Sequence, residues 1–201
     1  MPKTRVKATT KIATSGQLSK LERKKSLLPL KKKGWFMDSF LVLTLICSTA
    51  LDINKVSTNH RTYDLRLKTC EKVTKRASKA NLNPILIASL SWVESGFLPH
   101  VKSNKGAIGP LQILPKYFCP KRRAKGCDLI EAGIKAFKAW RKAHPKLRDT
   151  LCHYNNGTKC YRSGYRYADK ILTLAQNIKL LIKMNTPIYG PSRTRSDGGI
   201  P

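Results

Sequence analysis

A single glutamate follows a strongly apolar segment near the middle of the chain. The stretch PILIASLSWVESGFLPH, residues 84–100, places Glu94 after a run of aliphatic and aromatic side chains that leaves almost no polar face. Apolar surroundings disfavour the charged form of a carboxyl and raise its pKa, which is what a general acid at near-neutral pH requires. The bland alternative is a surface glutamate at the C-terminal end of a helix. Glu94 is the first candidate for a catalytic residue.

The chain offers few other acids that could act together with Glu94. Beyond Leu82 they are Asp128, Glu131, Asp149, Asp169 and Asp197. Two of them have the spacing of a helix capping box, two lie on predicted solvent-exposed helix faces, and one is in the C-terminal tail. A reaction that needs two facing carboxylates is therefore disfavoured.

Three more short motifs come after Glu94 and Ser95. They are GAIGPLQI at residues 106–113, HYNNG at 153–157 and YRYADKIL from residue 165. In order and spacing the set resembles the Glu-Ser, Gly-Leu-Met-Gln, Ala-Tyr-Asn-Ala-Gly and late-Tyr motifs of the soluble lytic transglycosylases, lysozyme-like enzymes that cleave peptidoglycan. The resemblance spans residues 66–175 and implies a mainly α, lysozyme-like single domain (α+β superfamily) with little or no β-sheet.

The resemblance also implies a reaction and a set of site residues. Glu94 would protonate the oxygen between N-acetylmuramic acid and N-acetylglucosamine, and would then take a proton from the muramic C6 hydroxyl as a 1,6-anhydro ring closes. The implied substrate-binding residues are Ser95, Gln112, Tyr154, Asn155 and Tyr167. Most glycosidases use two carboxylates, whereas here the substrate supplies the nucleophile, which fits a lone glutamate. No cofactor and no metal are implied.

The sequence is also compatible with two other functions. One is a hydrolytic muramidase, in which water attacks in place of the C6 hydroxyl. The other is a non-catalytic basic protein that binds wall glycan or nucleic acid, since 40 Lys and Arg against 11 Asp and Glu give a net charge of +29,. The basic stretches at 121–125 and 141–148 lack the interleaved aromatic residues that stack single strands, so no specific nucleic acid is expected.

Hydrophobic periodicity predicts four helices that would position these residues. Apolar residues at three- and four-residue steps indicate a helix over residues 63–80, and Asn83 followed by Pro84 indicates an N-cap for a second helix that ends near Ser95,. Asp128 and Glu131 indicate a capping box at the start of a third helix, which Pro145 would end. The last helix is predicted over residues 167–184.

Four of the six cysteines form two pairs with identical spacing. Cys119 and Cys127, and likewise Cys152 and Cys160, are separated by seven residues, which favours two local disulfides,. A single four-cysteine zinc site is the rival, but such sites prefer shorter spacing. Cys70 is then left over on the apolar side of its helix, which favours a buried free thiol; pairing with another chain is the alternative,.

The termini predict export and a domain between two unstructured segments. Residues 1–34 form a basic arm with one acid, and residues 35–50 contain a short apolar run followed by small residues, as in a signal peptide cleaved after Ala50; a signal-anchor is the alternative,. The enzyme domain is predicted over 51–185 and an unstructured tail over 186–201. These features predict a periplasmic or cell-envelope location, peptidoglycan strands as partner, and membrane association through the N-terminal segment if it is retained. The start could be Met1 or Met37.

Overall fold

A computed structural model of the protein describes residues 39–185, and the predicted basic arm and tail lie outside this range. Within it, seven α-helices occur in the order α1 (Ser39–Ile53), α2 (Tyr63–Lys79), α3 (Pro84–Ser95), α4 (Pro115–Phe118), α5 (Leu129–Ala143), α6 (Leu147–Asn156) and α7 (Arg162–Asn185). Pairing of extended backbone between residues 39 and 185 is limited to the isolated bridges Lys102 with Ile108 and Ile108 with Ile113. The prediction of a mainly helical fold with little or no sheet is confirmed.

Both ends of α3 are fixed by local sequence. The Asn83 side chain accepts hydrogen bonds from the amides of Ile85 and Leu86, as predicted for the N-cap,. At the other end Gly96 adopts a left-handed conformation with φ +59°, and Arg66 donates to its carbonyl oxygen. The left-handed φ favours glycine, and a Cβ on Gly96 would lie 2.6 Å from the Arg66 guanidinium, which would have to shift,. The end of α3 that carries Glu94 is therefore held in one position.

Helix α5 begins at the predicted cap but uses its acids differently from a capping box. The Asp128 side chain accepts from the amides of Ile130 and Glu131. Glu131 binds Arg76 on α2 at 2.8 Å, and Asp128 binds the same guanidinium at 3.1 Å. These ion pairs link α2 to the start of α5.

Helix α3 lies in the middle of the core and packs on α1, α2 and α7. One buried cluster joins α2, α3, α5, α6 and α7; its large members are Ile87, Leu90, Leu111, Ile134, Phe137, Leu151 and Ile171. A second cluster joins α1 to α2, α3 and α7, with Leu51, Phe97 and Ile178 fully buried. Burial of aliphatic and aromatic surface on both sides of α3 is what fixes its position.

Helix α1 is part of this core, so the prediction of a domain that begins at residue 51 does not match the folded unit. Cys47, Ala50 and Leu51 are fully buried, and the Thr44 hydroxyl donates to Glu71 on α2 at 2.9 Å. A boundary after Ala50 would cut α1 near its end. Cleavage at that bond stays a prediction. Among the described helices none has the length and apolar character needed to cross a membrane.

The disulfides confirm one prediction about the cysteines and correct another. Cys119 pairs with Cys127 and Cys152 pairs with Cys160, as the spacing predicted. The prediction that Cys70 is a free thiol is wrong, because Cys70 forms a disulfide with Cys47 of α1. The partner was overlooked because the apolar run of α1 has the composition of a leader.

Candidate active site

The predicted site residues come from three helices and one turn. Glu94 and Ser95 are the last residues of α3, Gln112 lies in the tight turn of residues 109–113, Tyr154 and Asn155 lie at the end of α6, and Tyr167 is in the second turn of α7. The turn 109–113 is defined by the backbone hydrogen bond from Gln112 to Gly109 and by the paired bonds between Ile108 and Ile113.

Glu94 is paired with Tyr167 across the interface between α3 and α7. The Tyr167 hydroxyl donates a hydrogen bond to Glu94 Oε1. The glutamate is only partly exposed, and burial raises its pKa to about 7, against a smaller lowering effect of the Tyr167 hydrogen bond,. The general-acid requirement inferred from the apolar segment is thus met by the surroundings of the carboxyl.

Tyr154 lies within electrostatic reach of Glu94 and binds the turn. Its hydroxyl donates to the carbonyl oxygen of Leu111 at 2.7 Å. Burial, followed by the charge of Glu94, raises the pKa of both Tyr154 and Tyr167 well above that of an ordinary tyrosine. Both phenols therefore stay protonated at neutral pH and act as hydrogen-bond donors.

Ser95 and Gln112 make their hydrogen bonds within the protein scaffold. The Ser95 hydroxyl donates to the carbonyls of Ser91 and Pro110, at 3.1 Å in both cases, so it links α3 to the turn. The Gln112 amide nitrogen donates to Val101 and Gly109 at 2.8 and 2.9 Å. Gln112 has φ +44°, and its amide oxygen is the group left to accept from a ligand,.

Among the described residues, Asn155 makes no side-chain hydrogen bond to Glu94, Tyr154 or Tyr167. It is exposed, and in the described part of the chain its amide donates to Asn156 at 2.8 Å. The neighbouring His153 stacks on His144 with ring centroids 3.6 Å apart, on the side of α6 that faces Trp140. Of the pair Tyr154 and Asn155 that the sequence motif predicts, Tyr154 is the residue that interacts with Glu94.

Ser91 contributes to this arrangement although no motif points to it. Its hydroxyl is fully buried and donates to the Pro110 carbonyl at 2.9 Å. The available signal is the spacing of four residues between Ser91 and Ser95, which puts two hydroxyls on one face of a largely apolar helix,.

The remaining acids of α5, α6 and α7 have other partners. Asp128 and Glu131 bind Arg76, Asp149 accepts from the Tyr165 hydroxyl, and Asp169 binds Arg148. Between residues 39 and 185 no group of three or more His, Cys, Asp and Glu side chains is close enough to hold a metal ion.

A separate cavity of about 390 Å³ lies between α2 and the start of α5. It is lined by Lys72, Lys75, Arg76, Lys79, Asp128 and Ile130. None of the predicted site residues borders it, and the exposed lysines on α2 have the character of a solvated face.

The described residues form a helical domain in which one partly buried glutamate, Glu94, accepts a hydrogen bond from Tyr167. Residues 71–173 match the Transglycosylase SLT domain family, which is more than half of the chain. The protein therefore belongs to this family, and the expected lysozyme-like fold is confirmed. No curated protein and no solved structure matches the chain. Three disulfides fit an exported protein,.

Proposed function

We propose that the protein is a lytic transglycosylase that cleaves the β-1,4 bond between N-acetylmuramic acid and N-acetylglucosamine and leaves a 1,6-anhydromuramic end. Glu94 acts first as general acid and then as general base. The observation that carries the proposal is the carboxyl of Glu94, half-buried at the end of α3, with its pKa raised to about 7. A carboxyl with that pKa can exist in both protonation states at neutral pH, which acid and base steps both need.

The proton moves in two steps that balance. Protonated Glu94 gives its proton to the bridging oxygen as the bond from the muramic C1 to that oxygen breaks, which releases the N-acetylglucosamine hydroxyl. The muramic C6 oxygen then bonds to C1, and its proton returns to the Glu94 carboxylate. No water is consumed, and the enzyme returns to its starting protonation state.

The neighbours of Glu94 have distinct roles in this proposal. The Tyr167 hydroxyl donates to Glu94 and stabilises the carboxylate formed after proton transfer,. Tyr154 holds the turn 109–113 beside the acid through Leu111, and the Gln112 amide oxygen accepts from a sugar hydroxyl. Asn155, exposed at the end of α6, contacts the sugar rather than Glu94. Positioning of the bond against the acid supplies a large part of the rate.

The test is digestion of purified peptidoglycan sacculi by the full chain, followed by mass spectrometry of the released fragments. Anhydro ends, which lack one water relative to reducing ends, support the proposal. Reducing ends identify a hydrolytic muramidase, and tight binding without release of fragments identifies a non-catalytic wall-binding protein. Either of the latter two results contradicts the proposal.

The expected location follows from the substrate and from the disulfides. Peptidoglycan lies outside the cytoplasm, and disulfides persist in oxidising compartments. We therefore propose that the chain acts in the periplasm or cell envelope, and that export depends on the N-terminal segment. The strongly positive net charge of +29 attracts the chain to anionic wall or membrane surfaces,.

A further inference from the structure

Two hydroxyls from α3 meet at one carbonyl of the turn 109–113. Ser91 and Ser95, one helical turn apart, both donate to the carbonyl oxygen of Pro110, at 2.9 and 3.1 Å. Ser91 has no exposed surface, whereas Ser95 is partly exposed. The carbonyl is the only backbone hydrogen-bonding group of Pro110, because proline has no amide hydrogen.

The bond made by Ser91 differs from the usual bond of a serine inside a helix. Such a hydroxyl commonly donates to the carbonyl four residues earlier in its own helix. Ser89, equally buried on α3, does so, with a bond of 2.9 Å to Ile85. Ser91 instead reaches a residue 19 positions away in sequence. Since a buried hydroxyl without a partner is costly, this bond fixes the distance between α3 and the turn.

The turn that Ser91 holds also carries two contacts of the candidate site. Leu111, the next residue, accepts the Tyr154 hydroxyl, and Gln112 follows with its side chain folded back onto Val101 and Gly109. Leu111 also packs against Gly133 of α5, where a Cβ would lie 2.6 Å from Leu111 Cβ. A displacement at Pro110 would therefore disturb both the Tyr154–Leu111 bond and the placement of the Gln112 side chain.

We propose that Ser91 is a positioning residue for glycan cleavage, acting through the Pro110 carbonyl to hold the turn 109–113 against the end of α3. The proposal rests on the transglycosylase function proposed above. Ser91 does not touch the substrate; it sets where Tyr154 and Gln112 stand relative to Glu94. Without its hydroxyl the turn moves away from α3, and water enters beside the acid.

Loss of the Ser91 bond should lower the pKa of Glu94, an effect that is not expected if Ser91 only stabilises the fold. Burial is the main cause of the raised pKa of Glu94, so water entering beside the carboxyl lowers that pKa,. A general acid must be protonated, and the rate then begins to fall at a lower pH. The position of the high-pH limb of the pH–rate profile therefore reports the change in the pKa of Glu94.

The experiment compares Ser91→Ala with Ser89→Ala, which removes an equally buried hydroxyl from the same helix. Both variants lose one buried hydrogen bond, and their thermal unfolding is measured first. We expect Ser91→Ala to lower the rate at saturating glycan by about 10- to 100-fold, the scale of a small misplacement in an active site. We also expect its high-pH limb to move to lower pH. Ser89→Ala keeps the wild-type rate and profile.

Hydrogen exchange supplies a second readout that does not depend on turnover. The amides of Gly109, Gln112 and Ile113 are bonded within the turn region, so they should exchange faster in Ser91→Ala than in Ser89→Ala,. A wild-type rate and profile in Ser91→Ala, or equal losses in both variants, overturns the proposal.

Two further outcomes also decide the matter. If Ser91→Ala does not fold, Ser95→Ala removes the more exposed donor to the same carbonyl and must move the high-pH limb the same way; an unmoved limb overturns the proposal. A wild-type chain that releases no fragments overturns the proposed function and with it the role of Ser91 in cleavage. The exchange rates of the turn then still show whether Ser91 holds it.

Discussion

Two carboxyls, one that contacts α7 and one that belongs to it, have opposite surroundings. Glu94 receives a hydrogen bond from Tyr167 in a half-buried site, whereas Asp169, two residues further along the helix, forms an exposed salt bridge with Arg148 at 2.6 Å. Burial raises the pKa of Glu94 to about 7, and the Arg148 hydrogen bond lowers the pKa of Asp169. The same chemical group thus keeps its proton close to neutral pH in one place and is an anion there in the other.

The two pKa values differ because water is excluded from Glu94 but not from Asp169. Around Glu94 the apolar residues of α3 and the two phenols displace water without supplying a positive charge. At Asp169 water and a guanidinium both stabilise the anion. The apolar sequence around Glu94 therefore produces burial of the carboxyl without a counter-charge. Substitutions in this site should change the pKa of Glu94 and the rate of cleavage.

The largest effect is expected when the proton of Glu94 is removed from the reaction. Glu94→Gln keeps the size of the side chain and an acceptor for Tyr167 but cannot donate or accept the proton. Release of fragments from sacculi should fall by about 10²- to 10⁴-fold, the usual contribution of general acid–base catalysis. Asp169→Asn, the equivalent change at the exposed site, should leave the rate unchanged. Wild-type release by the Glu94→Gln variant contradicts the assignment.

A smaller loss is expected when the hydrogen bond to Glu94 is removed. Tyr167→Phe leaves the carboxylate formed in the reaction without its donor. We expect a rate lower by about 10- to 100-fold, since a hydrogen bond to a charged group contributes about 1.5–3 kcal/mol. That bond lowers the pKa of Glu94, so its loss should move the high-pH limb upward.

Tyr165→Phe is the matched control for this change. Tyr165 lies on the same helix and donates to Asp149 at 3.2 Å, away from the glutamate. Its rate and pH–rate profile should equal those of the wild type. If both substitutions lower the rate equally, the effect of Tyr167→Phe is one of general stability and not of contact with Glu94.

The two carboxyls should also differ in the sign of their effect on stability. The pKa of Glu94 is raised in the folded state, so the wild type should lose free energy of unfolding relative to Glu94→Gln as pH rises from about 4.5 to about 7, by up to about 3 kcal/mol,. The pKa of Asp169 is lowered, so its contribution is present above the ordinary pKa of aspartate and is lost as pH falls through the lowered value. Denaturant unfolding of the wild type and the two amide variants, carried out from below the ordinary pKa of aspartate up to neutral pH, measures both slopes,. Parallel curves for the wild type and Glu94→Gln would contradict the first.

The sequence predicted the helices whose caps and periodicity are both clear. Helices α2, α3 and α5 begin and end within one residue of the predicted positions. For α3 and α5 the reason is local, because Asn83 and Asp128 cap their first turns and Pro145 follows the end of α5. Helix α7 begins earlier than predicted, and α6 was missed because it is short and has no side-chain cap. Helix α1 was interpreted as a leader, since an apolar run after lysines has the same composition whether it is exported or folded.

The sequence predicted the reactive group better than the scaffold that holds it. The apolar segment around Glu94 and the late tyrosine of the motif were enough to anticipate a desolvated acid next to Tyr167. The contacts that hold the turn, from Ser91 and Ser95 to Pro110 and from Tyr154 to Leu111, end on backbone carbonyls. Residue types carry no information about which distant carbonyl a hydroxyl will reach, so these contacts required the folded structure.

The central claim is that the Glu94 carboxyl keeps its proton close to neutral pH. Its direct test is an NMR titration of the full chain labelled with ¹³C at the glutamate side-chain carboxyl carbon, with the Glu94 resonance assigned by its absence in Glu94→Gln. We predict a midpoint of about 7 for this resonance. A midpoint near 4.5, the ordinary value for glutamate, would contradict the claim.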